Sequence, residues 1–318
     1  MDSAGNRPGR PEPTQPLIED LPLSLLDGEP ARPRPRRGRS VRLRLLPLLV
    51  AVALGAGVLL VVTATRDGDG GASGGDGLVA AGGGGPAPVF ATEGNPVVTM
   101  ALRLPRVTCE LPAIGAGEAR LRALYEAEIR CLERAWRPVL REAGVPFGPV
   151  AVHLGDDPQT ECGDLPPPGQ ATGFYCGEDR TIYLPHTRAV DAFGLDPAAH
   201  IATLAHEYGH HVQELSGILD RAGHDLGGHE PGSAGDRELG RRVELQANCF
   251  AGLFLASAAG RGSIDRELAV AATEDFANWV DSDTHGSSAT QLRWAKTGFA
   301  GPTTAACNTW TAPLGEVT

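Results

Sequence analysis

Apolar positions recur at helical spacing over residues 118–142, where Leu121, Leu124, Tyr125, Ile129, Leu132 and Trp136 share one face. Pro138 is expected to bend or end that helix, because proline lacks the amide proton that the ladder needs. Val150–Leu154, Gly173–Cys176 and Thr181–Leu184 read as short strands. The turn Gly177-Glu178-Asp179-Arg180 joins the last two. Asp196 and Pro197 form an N-cap and first-turn pair that opens a helix running to about Leu215. Two further helices are predicted over 236–259 and 263–281. The pattern is α+β and shows no internal repeat.

A different pattern precedes this region. Residues 1–44 carry too few apolar side chains to build a core and read as a disordered Arg/Pro-rich tail. Residues 45–65 hold the almost wholly apolar run Leu45–Ala64, about the length a helix needs to span a bilayer. Arg32, Arg34, Arg36, Arg37, Arg39, Arg42 and Arg44 stand just before it. The positive-inside rule then puts the N-terminus in the cytoplasm and all that follows Arg66 outside, as in a single-pass cell-membrane protein. A cleaved signal peptide ending at Val62-Thr63-Ala64 is the rival reading, and it exports the same domain. Residues 66–95 are a Gly-rich linker, which leaves 96–318 as the folded domain.

Charge sharpens the division. Of the formal net charge of −11, residues 1–66 hold 10 arginines against 6 acids. The remainder is therefore strongly acidic, with no basic stripe, which argues against a nucleic-acid partner. All six cysteines follow the apolar run. An even count outside the cytoplasm predicts disulfides, with 15 pairings open.

Candidate chemistry centres on His206-Glu207-Tyr208-Gly209-His210, an H-E-x-x-H inside a predicted helix. Histidines four apart project from one face and can reach one Zn²⁺, while the glutamate reaches water at the metal without binding it. Gly209 in mid-helix signals close packing. A third ligand is required. The metzincin continuation needs a glycine at 213 and a histidine at 216, and the chain has Gln213 and Ser216. Glu244, in a helix-forming run 34 residues on, fits the role of a glutamate from a later helix. Asn248, one turn further, is placed to receive the N–H of a ligand histidine. Glu214, Glu230 and Glu238 are weaker alternatives to Glu244. His285 is the candidate second donor to a developing oxyanion, ahead of Tyr183 and His211. His200, His224 and His229 have no spacing that recommends them.

The strings HEYGHHVQ, ELQANCFAG, HGSSATQLRW and GF…CNTW, with GFYCGEDRTIYL upstream, resemble the neutral zinc metallopeptidase family of bacteria over roughly residues 96–310. The resemblance implies a gluzincin-like, zincin-type domain with a small sheet packed on the H-E-x-x-H helix, behind the single transmembrane helix. It implies Zn²⁺ held by His206, His210 and Glu244, Glu207 as catalytic base, and a peptide or protein substrate. The family commonly shows aspartate where this chain has Asn248. The alternative is a non-catalytic extracytoplasmic binding domain that keeps the fold. If Thr181–Leu184 is an edge strand over the cleft, an extended peptide can add to it as a further strand.

Overall fold

A computed structural model describes residues 89–165 and 171–318. Among the described residues it is α+β, with eight α-helices and one three-stranded sheet. The expected tail, the run Leu45–Ala64 and most of the linker lie outside the described residues. No helix among the described residues is long and apolar enough to cross a membrane.

Helix α1 (Pro96–Thr99) is capped by the Asn95 side chain, which accepts from the Val97 N–H. Helix α2 (Glu118–Glu142) buries the predicted stripe, Leu121, Leu124, Tyr125, Leu132 and Trp136 among it. Pro138 lies inside α2 and does not end it. The hydrogen bond that its missing N–H forgoes is offset by buried Val139 and Leu140, which hold the last turn against the core.

Strands β1 (Ala151–His153), β2 (Phe174–Cys176) and β3 (Thr181–Tyr183) assemble in the order β1-β3-β2. β3 pairs parallel to β1 and antiparallel to β2. The expectation of β3 as an edge strand is therefore wrong: both its edges are occupied, and no peptide can add to it.

Helix α3 (His186–Phe193) leads into α4 (Pro197–Ser216). Asp196 caps α4 by accepting from the Ala198 N–H, Pro197 occupies its first turn, and Gly217 closes it at φ 79°. All of its residues except Pro197 and Glu214 are buried. A helix enclosed all round must find partners for every polar side chain it carries, and α4 carries many. Helix α5 (Ile218–Leu226) follows, then α6 (Ala234–Ala258), capped by Ser233. A Cβ on Gly209 would lie 3.0 Å from Ala247 Cα and O, so α4 and α6 touch at the predicted glycine.

The region expected as one helix over 263–281 is α7 (Arg266–Glu274) followed by a 3₁₀ turn at Asp275–Asn278. Helix α8 (Ser288–Ala300) then crosses α6. There a Cβ on Gly298 would lie 1.9 Å from Cys249 O, and one on Gly252 would lie 2.0 Å from Ala295 O. Disulfides join Cys109 to Cys131, Cys162 to Cys176 and Cys249 to Cys307.

Candidate metal centre

The α4–α6 contact at Gly209 brings a face of each helix together one turn from the glycine. His206 Nε2 and His210 Nε2 lie 3.1 Å apart. Each lies 3.3 Å from Glu244 Oε2 on α6. These donor atoms all fall within 4.8 Å of one another, and among the described residues this is the group of such side chains that can hold a metal ion. The three side chains are buried. Glu244 Oε2 has no aligned hydrogen-bond partner despite the nearby nitrogens. Two imidazole nitrogens and a stranded carboxylate oxygen converging on one point suit a divalent cation with N/O preference, and zinc matches that donor set.

Electrostatics in this pocket are set by burial. Desolvation disfavours a charged His210, but Glu244 and then Glu207 outweigh it and raise its pKa to about 9. Burial pushes His206 downward. Burial alone would raise Glu244, yet His285 and His210 hold it well below the usual carboxylate range. A positive charge at this point is therefore favoured, and a proton on His210 supplies it where a metal does not.

Glu207, between the two histidines in sequence, is buried with its pKa pushed up to about 7, chiefly by desolvation. The backbone of Tyr175, on the edge strand β2, lies close enough to that carboxylate to draw its pKa back down a little. His285, in the segment before α8, points into the same pocket with Nε2 3.5 Å from Glu244 Oε2. Its Nδ1 meets Ser282 Oγ at 3.0 Å and Thr284 Oγ1 at 3.1 Å. Ser282 Oγ already accepts from the His285 backbone N–H. These contacts hold the ring with Nε2 facing the cluster.

Asn248 Oδ1 meets His206 Nδ1 at 2.7 Å. Gln213 Oε1 meets His210 Nδ1 at 2.9 Å. From sequence Gln213 stands out only as a break in the metzincin pattern, yet its spacing of three from His210 places it on the same helix face. The ring of Trp279 packs edge-on against His206 with centroids 4.9 Å apart. Only the fold brings that tryptophan to the pocket.

The other candidates lie elsewhere. His211 ties α4 to the sheet through the Tyr175 hydroxyl (3.0 Å) and Gly148 O (2.9 Å), and burial lowers its pKa to about 4. Tyr183 donates to Asp179 (2.6 Å) and stacks on Phe174. His200 bonds the Tyr125 hydroxyl and Gly194 O. Glu214 stands beside Gly177, Glu238 pairs with Arg242, and Glu230 is exposed. His224 and His229 are exposed.

A family model described as "Putative neutral zinc metallopeptidase" matches residues 116–310, well over half the chain. An uncharacterized protein of Mycobacterium tuberculosis is 30% identical over 186 residues, covering 48% of this chain and 59% of the relative. The uncharacterized protein YpfJ of Escherichia coli is 34% identical over 155 residues, covering 43% of this chain and 53% of the relative. The match thus spans a little over half the length of these relatives. No solved structure matches.

Proposed function

Since the chain belongs to the neutral zinc metallopeptidase family, we propose that it is a zinc-dependent peptidase acting outside the cytoplasm, with His206, His210 and Glu244 as ligands and Glu207 as general base. The observation that carries this reading is the convergence of two imidazole nitrogens on one buried carboxylate oxygen, with a second carboxylate beside them. A bound zinc ion supplies a Lewis acid that polarises a peptide carbonyl and makes water nucleophilic. Glu207 takes a proton from that water at its carboxylate and passes it to the departing amine. A pKa near 7 suits both halves of that exchange. The Nε2–H of His285 donates to the oxygen on which negative charge develops. Asn248 and Gln213 orient the two ligand rings.

Anchoring and compartment belong to the same proposal. They rest on the apolar run Leu45–Ala64 behind its arginines. The three disulfides support an oxidising compartment.

Zinc content and hydrolysis of a mixed peptide library, measured on the full-length chain and on Glu207→Gln, test this reading. One zinc per chain in both, with cleavage by the wild type alone, is the expected result. Zinc without cleavage in either would favour the binding-domain alternative, and no zinc in either would remove the ligand assignment.

A further inference from the structure

A chain of amide groups runs from one ligand histidine to a distant backbone carbonyl. Gln213 Oε1 meets His210 Nδ1. Gln213 Nε2 donates to Val243 O and to Gln246 Oε1, both at 2.9 Å. Gln246 Nε2 donates in turn to Cys307 O at 3.1 Å. Gln213, Gln246 and Cys307 are all fully buried.

The direction of every bond in this chain is forced. Cys307 O and Val243 O are carbonyl oxygens and can only accept. Gln246 must therefore turn its NH₂ to Cys307 and its oxygen to Gln213. Gln213 must turn its NH₂ to Val243 and Gln246, and its oxygen to His210. Flipping either amide sets oxygen against oxygen in a buried place. Nδ1 of His210 is then obliged to carry a proton, and Nε2 is the nitrogen left to face Glu244.

On the other ligand the arrangement differs. Asn248 Oδ1 meets His206 Nδ1, but the Asn248 Nδ2 is buried without a hydrogen-bond partner. Nothing beyond Asn248 pins its amide, so the lock is confined to His210.

We propose that Gln213 and Gln246 are positioning residues that fix the proton of His210 on Nδ1, through a relay whose direction is set jointly by the Val243 and Cys307 carbonyls and held by the Cys249–Cys307 disulfide. The use of this lock, presenting Nε2 to a metal, rests on the metallopeptidase reading; the lock itself does not.

The test uses the full-length chain labelled with ¹⁵N at histidine and stripped of zinc, compared with Gln213→Met and Gln246→Met. The Nδ1 proton of His210 is present whether the ring is neutral or charged, so it can be followed in either state. Its signal is identified by its loss in His210→Gln. In the wild type it exchanges slowly with solvent. Gln213→Met abolishes that protection, and Gln246→Met, which touches no ligand, reduces it. Zinc affinity falls on the order of tenfold or more in the first and by a smaller factor in the second. Circular dichroism of each variant separates these effects from unfolding, and Gln246→Met provides the measurement if Gln213→Met does not fold. Wild-type protection and wild-type zinc affinity in a folded Gln246→Met overturn the relay. A protected proton in a wild type that takes up no zinc leaves the relay standing and removes the metallopeptidase reading. Zinc uptake by a wild type without the protected proton does the reverse.

Discussion

Asn248 and Glu128 are both buried polar side chains with something left over, and each leads to a measurement. Asn248 satisfies His206 with its oxygen but strands its NH₂ group. Asn248→Asp removes the stranded donors and adds a further negative charge near the metal position. It should tighten zinc binding several-fold by equilibrium titration, while the zinc-stripped protein melts at a lower temperature because that charge is buried. Glu128, on α2, is buried with neither oxygen hydrogen-bonded, and desolvation raises its pKa well above the ordinary value. An acid with a raised folded-state pKa gives up no stability below its unfolded pKa of about 4.3 and costs more as pH climbs towards the folded value. Glu128→Met should therefore stabilise at both pH values, by about 1–3 kcal/mol near pH 4, where only the unpaired polar group is relieved, and by more at pH 8; equal shifts in Tm at both pH values would contradict this. The H-E-x-x-H histidines could be singled out by their helical spacing of four, whereas Glu244 stands ahead of Glu214, Glu230 and Glu238 through the family resemblance, and Asn248 follows from its place one turn beyond Glu244. Gln246 could not, because its meaning depends on a carbonyl 61 positions away.

Among the elements, those that carry their own start and stop signals were legible. Helix α4 opens at Asp196 and Pro197 and closes at Gly217, and α2 shows its stripe throughout. The short helices α3 and α5 lack such length, and strand order is not written in periodicity at all: β3 looks the same alone as it does between β1 and β2. Glycine contacts between helices set the spacing of the site and differ in tolerance. Gly209→Ala recovers about 1 kcal/mol of helix propensity while pressing a methyl group to within 3.0–3.1 Å of Ala247. A modest net loss, on the order of 1 kcal/mol, is expected. Gly298→Ala places its Cβ 1.9 Å from a backbone oxygen that cannot rotate away. It should cost about 3 kcal/mol or more, measured by chemical denaturation. A milder effect at Gly298 than at Gly209 would show that α8 slides easily along α6.

At the scale of the molecule, three disulfides bind segments separated by 22, 14 and 58 residues. By chain entropy the 58-residue loop contributes the most, about 4 kcal/mol against about 3 kcal/mol for the 14-residue loop. Replacing Cys249 and Cys307 together by serine should thus lower Tm more than replacing Cys162 and Cys176. The Cys249–Cys307 link has a second consequence, in time rather than in energy. A polypeptide is made from its N-terminus, so His206 and His210 are made about a hundred residues ahead of Cys307, whose carbonyl closes the relay to His210. Arg241 and Trp294 likewise wait for the carbonyls of Val317 and Glu316. The relay that aims His210 is therefore completed only once Cys307 is in place, long after both histidines have been made.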